Sequence, residues 1–177
     1  MRDKIKKMEQ VVQDLVKIEP ELMQHLARIR QVAPDSARVI ANKLFRDSMV
    51  PGVGNKAAYE DFLERPRAGV HVMMDGNDFG QINKKFGQTE GDNAIKAMGG
   101  AMRRASRQFR GKLFRVGGDE FKAHFETPEQ AYGFVRSVRN ELDRLPPAGG
   151  QHRHSISIGL GHTPEHAEQA VIHAKNA

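Results

Sequence analysis

The chain contains no cysteine and no tryptophan, and only two of its 177 residues are tyrosine. Without cysteine there are neither disulfides nor thiolate metal sites, which fits a reducing compartment, and cytoplasm is the expected location. No apolar run approaches the ~18 residues of a membrane span. The N-terminus MRDKIKKMEQ also lacks the apolar core of a signal peptide, so no membrane association is expected. No aromatic residue interleaves with a basic run, the arrangement that single-strand binders use to stack bases. The net charge of +6 therefore suits a small anionic partner such as a nucleotide better than nucleic acid. Arg103, Arg104 and Arg107 fall along one predicted helix and read as a solvated face.

What is present suits one domain with a short helical appendage: 38% hydrophobic residues for a core and 28% charged residues for solubility. Ile5, Met8, Val12, Leu15 and Ile18 recur at helical steps, and Leu22, Leu26 and Ile29 resume the stripe after Glu19-Pro20. Pro34-Asp35-Ser36 opens a third helix to about Arg46. Residues 1–47 are thus predicted to be a helical segment that either dimerises or caps the domain formed by 48–177. In that domain "GVHVMMD" is a strand ending on an acid. Two helices follow, with Gly99-Gly100 as a weak spot or a close-packing point, and then a hairpin of "KLFRV" and "FKAHFE". Thr127-Pro128-Glu129-Gln130 is a capping box that opens a helix to about Leu145. "HSISIGLG" reads as a strand and "PEHAEQAVIHAKNA" as a last helix. This order predicts an α/β (α+β) fold with a mainly antiparallel central sheet flanked by helices.

The chemistry is expected where acids gather. Asp75 ends the first strand, and Asp119 and Glu120 follow Gly117 and Gly118 at the predicted hairpin tip. If the strand lies beside the hairpin, three carboxylates converge at one edge. Oxygen ligands of that kind select magnesium or manganese, with substrate phosphates completing the shell. Gly117 and Gly118 would let the backbone approach a ligand. On the tip alone, a plain acidic turn is the competing reading. His162 and His166 would share a helical face suited to zinc only if the last helix began early.

The segments "GGDEF" and "DGNDFGQINKKFGQTEGD" together resemble the GGDEF family of diguanylate cyclases, which has a palm-like nucleotidyl-cyclase fold. Asp75, Phe79, Asn83, Gly87, Gly91 and Asp92 stand at the family's places, and Arg115 precedes the tetrad. Val50 to Lys56 echo the entrance motif, and Ala174-Lys175 echo the closing helix. The resemblance spans about 48–177. It implies that Asp75, Asp119 and the Gly76 carbonyl ligate Mg2+ or Mn2+, and that Asp119 or Glu120 helps deprotonate a 3'-hydroxyl. It implies too that Asn83 and Asp92 read guanine and that Lys175 meets phosphates, with Gly117 and Gly118 beside the substrate. Each copy would hold one GTP, so a homodimer would join two GTP into cyclic di-GMP. The sequence departs from the family at Gly80, where a charge-stabilising lysine is usual. It departs again at Gln88 in place of histidine and at Ser48, beside Asp47, in place of the entrance aspartate. The chain given stops at Ala177, before a basic residue that commonly follows, and an end there would weaken phosphate binding. These departures support an alternative: a catalytically weak GGDEF domain that binds GTP or regulates. Product feedback in the family uses Arg-x-x-Asp. Gln108 and Gly111 stand at those places, so no such inhibitory site is expected.

Overall fold

The computed structural model describes Arg28, residues 34–65 and residues 67–176. Apart from Arg28, which is helical, the two helices expected before residue 34 lie outside the described residues. The chain divides into two compact units, Met1–Arg46 and Asp47–Ala177. In the first, α1 (Pro34–Phe45) is the helix predicted from Pro34-Asp35-Ser36.

The second unit runs α2 (Lys56–Leu63), β1 (Val70–Gly76), α3 (Phe79–Phe86), α4 (Gln88–Gln108), β2 (Lys112–Arg115), β3 (Glu120–Phe125), α5 (Pro128–Leu142), β4 (Ile156–Gly161) and α6 (Pro164–Lys175). Its four strands lie in the order β2-β3-β1-β4 and every pair is antiparallel. This is the predicted helix-flanked antiparallel sheet.

β1 is apolar along most of its length because both faces of the sheet are covered. Val70, Val72 and Met74 join Phe121 and Phe125 of β3 in a core shared with Ile95, Met98, Phe134 and Val138 of α4 and α5. On the other face Met73 packs with Tyr59 and Phe62 of α2, Phe114 of β2, and Ala167 and Val171 of α6. Gly99 proves a close-packing point: a Cβ there would press on Val50 and Phe121. The arginine stripe of α4 is not simply solvated. Arg103 Nη1 donates to the Pro51 carbonyl at 2.9 Å, and Arg104 Nε donates to Glu141 Oε2 at 2.8 Å.

The predicted capping box of Thr127 and Gln130 opens α5 as expected. The helix stops at Leu142 rather than near Leu145, because Pro146 disfavours a helical Leu145. α6 begins at Pro164, so His162 lies outside it, and among the described residues no group of three metal-ligating side chains forms. α6 lies directly on β4, since a Cβ at Gly159 would collide with the backbone of Ala167 and Val171. That contact sets how the last turn of α6, with Lys175, reaches the end of β1.

Two buried histidines face each other across β1 and β3. His71 and His124 are direct cross-strand partners with ring centroids 4.9 Å apart, and each is only 6% exposed. Among the described residues neither His71 Nδ1 nor His124 Nε2 finds a hydrogen-bond partner. Burial, and then the His124 charge, push His71 from its ordinary 6.5 down to about 4, against an opposing pull from Glu165. Burial also lowers His124.

Two expectations follow from this packing. Gly159→Ala should destabilise the protein by ~1–3 kcal/mol through overpacking, read as a lower urea midpoint; an unchanged midpoint would show that α6 can lift off β4 without cost. Acid should unfold the protein through His71, which takes up a proton more readily in the unfolded chain. Its contribution is complete above 6.5 and is lost as the pH falls from 6.5 toward about 4. His71→Leu should flatten the stability–pH curve in that window, and an equally steep curve would exclude His71 as the acid-sensitive group.

Candidate functional site

The site is built where β1 ends beside the β2–β3 hairpin. Val116 N–H donates to the Glu120 carbonyl at 3.0 Å, so Gly117, Gly118 and Asp119 form the turn. Glu120 is therefore not part of the tip. It is the first residue of β3 and pairs directly with Asp75 of β1. Cross-strand partners share a face, yet the Glu120 carboxylate folds back over Gly117, where a Cβ would stand 2.6 Å from Oε2. This is why the expected convergence of three carboxylates is not found among the described residues.

Asp75 and Asp119 do come together. Gly76 N–H donates to the Asp119 carbonyl at 3.3 Å, and a Cβ at Gly76 would stand 2.9 Å from Asp119 Oδ2. Glycine at the end of β1 thus admits the Asp119 side chain. Burial pushes the Asp119 carboxyl above its ordinary range, and the Asp75 charge adds to that push. Its own backbone N–H, Lys175 and Arg115 pull the other way. A half-buried carboxylate pair beside a main-chain carbonyl is a donor set that fits a hard divalent cation. In the structure Lys175 Nζ sits on Asp75 Oδ1 at 2.5 Å, whereas the resemblance placed it on phosphates.

Arg115 holds the turn from below. Its Nε donates to the Gly118 carbonyl at 2.9 Å and its Nη1 to Asp47 Oδ2 at 3.0 Å. The other carboxylate oxygen of Asp47 accepts from the backbone N–H groups of Met49 and Val50 at 3.0 and 2.7 Å. The ion pair is largely buried, with side-chain exposures of 13% and 8%. Asp47, one place before the family position at Ser48, is thus the residue that reaches Arg115.

A second locus lies at the α3–α4 corner. A Cβ at Gly91 would collide with Asn83 Oδ1, so Asn83 lies over the start of α4 next to half-buried Asp92. Beneath them Ile82, Ala94 and Ala148 form a small core with Phe79 and Phe86. The loop after α5 closes it: Glu90 Oε1 accepts from Gly149 N–H at 2.8 Å, and Lys85 Nζ donates to Gln151 Oε1 at 3.0 Å. α3 runs between the two loci.

Sequence reasoning did not single out Asn77, whose Oδ1 accepts from the Ser157 hydroxyl at 2.8 Å and ties the end of β1 to β4. It also passed over Asp78, which takes a left-handed conformation (φ 54) and leaves α3 without a side-chain cap. A polar pair two residues after the acid near the strand end was the available signal. Gly80 is exposed, and nothing stands within 4 Å of where its Cβ would be. A groove of about 580 Å³ between α4 and α5, lined by Arg104, Gln108, Arg136 and Arg144, shares no residue with either locus.

The family described as "Diguanylate cyclase, GGDEF domain" matches residues 54–177. Diguanylate cyclase DgcS of Shewanella oneidensis is 30% identical over 155 residues, covering 83% of this chain and 49% of its own length. The chain therefore spans about half the length of that relative. Among solved structures, diguanylate cyclase SiaD of Pseudomonas aeruginosa, in complex with its activator SiaC, aligns with a TM-score of 0.69 at 20% identity. That alignment covers 99% of this chain and 75% of SiaD. The coiled coil and GGDEF domain of DgcB from Caulobacter crescentus, in complex with c-di-GMP, also gives 0.69, at 17% identity and with 88% and 93% covered. At these identities the two structures speak to the fold.

The Asp47–Arg115 pair yields a test of how the turn is held. Asp47→Ala should cost ~3–5 kcal/mol, because it leaves Arg115 buried without its partner. Asp47→Asn, which keeps an oxygen for Met49 and Val50, should cost less. Denaturant midpoints of the two variants check the order, and equal values would assign the stabilisation to the charge of Asp47 instead of its capping oxygen.

Proposed function

The chain belongs to the family of diguanylate cyclase GGDEF domains, and from that membership we propose that it condenses two GTP molecules into cyclic di-GMP. The 3'-hydroxyl oxygen of each GTP attacks the α-phosphorus of the other. Each new O–P bond replaces the bond to the β-phosphate, and two pyrophosphates leave. The observation that carries this reading is the meeting of Asp75, Gly76 and Asp119 at the tip of the tetrad hairpin.

Asp75, Asp119 and the Gly76 carbonyl would hold Mg2+ or Mn2+. When bound, such an ion supplies Lewis-acid stabilisation of charge on the phosphates. The chain's own residues do the rest. Asp119 faces Asp75, so we assign it to the metal and leave exposed Glu120 to accept the hydroxyl proton. Arg115 fixes the Gly118 carbonyl and so the backbone around the substrate phosphates. α3 begins without a side-chain cap, and its first N–H groups favour phosphate oxygens. Asn83 and Asp92 would read guanine, whose N1 and N2 donors suit a carboxylate. One site holds one GTP, so catalysis needs two copies face to face, and the N-terminal unit is the element we assign to joining them. Among the described residues no helix is long and apolar enough to cross a membrane.

Exposed Gly80, at the place of the family's lysine, favours a second reading: a domain that binds GTP with little turnover. Both readings are tested by incubating purified protein with GTP and magnesium across a range of protein concentrations. The cyclase reading expects cyclic di-GMP, a rate rising faster than linearly with protein, and loss of product in Asp119→Ala. Glu120→Gln should lower kcat by ~10²–10⁴ while metal binding persists. Gly80→Lys has room for its side chain and should raise kcat by up to ~10²–10³. GTP binding with product only from Gly80→Lys would favour the second reading. Absence of product from every form, at any concentration, would overturn the first.

A further inference from the structure

Among the described residues Asp75 has one cationic partner, Lys175, and the neighbouring cations are committed elsewhere. Arg115 is held by Gly118 and Asp47. Lys122, on the same face of the sheet as Asp75, has its ammonium 5.2 Å from the Tyr59 ring centroid. Lys175 Nζ lies 2.5 Å from Asp75 Oδ1, with side chains 39% and 20% exposed. Its ammonium therefore occupies one carboxylate oxygen of Asp75, and its charge also acts on Asp119.

We propose that Lys175 is an exchangeable counter-ion of the carboxylate pair, so that the site takes up a metal–nucleotide complex in preference to the bare divalent ion. The inference rests on Asp75 and Asp119 being the metal ligands. In the ligand-free protein the ammonium neutralises Asp75 and competes with a free cation for the same oxygen. A nucleoside triphosphate changes the balance, because its phosphates offer the displaced ammonium a new anionic partner. Metal and nucleotide then bind with positive coupling, each strengthening the other by the same factor.

The exchange requires no backbone motion. α6 is seated on β4 through Gly159, and Lys175 stands in its last turn at the edge of the site. A lysine has a flexible four-carbon stem and three rotatable donors, so its ammonium can turn from a carboxylate to a phosphate. Arginine would be poorly suited, since its planar fork holds a carboxylate through paired bonds. The partial exposure of the pair also matters. A fully buried ion pair would resist exchange, whereas a half-exposed one is weak enough to be displaced.

The test measures Mn2+ binding to the full chain by the loss of the free-ion electron paramagnetic resonance signal. Measurements are made with and without a GTP analogue bridged by methylene between its α and β phosphates. Lys175→Met should bind Mn2+ alone about 3–10-fold more tightly than the unaltered protein, the range set by the modest strength of a half-exposed pair. With the analogue present the order should reverse, because the variant has lost its phosphate partner. Lys56→Met, at an exposed lysine of α2, should leave both values unchanged. Suppose instead that Lys175→Met binds Mn2+ alone no more tightly, while Asp75→Asn still abolishes binding with the analogue. The counter-ion role is then wrong and the metal-site reading stands. If Asp75→Asn and Asp119→Asn both bind Mn2+ and analogue like the unaltered protein, the metal-site reading fails and the inference fails with it.

Discussion

The antiparallel pairing of β1 with β3 carries everything that the site depends on. Its register sets Met74 against Phe121 on the core face and Asp75 against Glu120 on the other. Side chains alternate along a strand, so a slip of one residue would turn Asp75 into the core and Met74 out of it. The six buried residues of β1 make that slip prohibitive. The same register that buries Val72 and Met74 therefore delivers a carboxylate to the sheet edge, one residue from the glycine that admits Asp119. Core packing and site geometry are one constraint.

Around this pairing, two long-range attachments fix groups that local structure alone would leave free. The Asp47–Arg115–Gly118 chain runs from the first residue of the second unit to the carbonyl of the tetrad turn. It gives a glycine-rich turn a defined backbone at the cost of a buried ion pair, which is held because both charges also make hydrogen bonds. The seating of α6 on β4 is the other. The absence of a side chain at Gly159 lets the helix backbone touch the sheet, and Lys175 is carried to Asp75 as a consequence. The α3–α4 corner follows the same logic, since Ala148 and Gly149 come from a distant loop to close the small core beneath Asn83 and Asp92.

Much of the fold was legible because its signals are local. The alternation of "HSISIGLG", the apolar run "GVHVMMD" and the Thr127–Gln130 capping box each report an element within a few residues. The order of elements then leaves few sheet topologies, and family resemblance selected the palm-like one. The misplacements were equally physical. Glu120 adjoins Asp119 in the chain but belongs to the strand, since the hydrogen bond from Val116 closes the turn one residue earlier. Arg103 and Arg104 read as solvated because a charge on a helix face shows nothing of a partner 52 or 37 residues away.

The sequence by itself determined the helix-flanked antiparallel sheet and the acidic tetrad turn. These follow from periodicity, turn chemistry and motif spacing, all of which act over short stretches of chain. Tertiary structure alone decided that Asp119 turns toward Asp75 while Glu120 folds over Gly117. It decided as well that Asp47 anchors Arg115, that Asn77 ties β1 to β4, and that Lys175 rests on Asp75. Such pairings depend on which charged ends the packed core brings within reach, and no single segment holds that information.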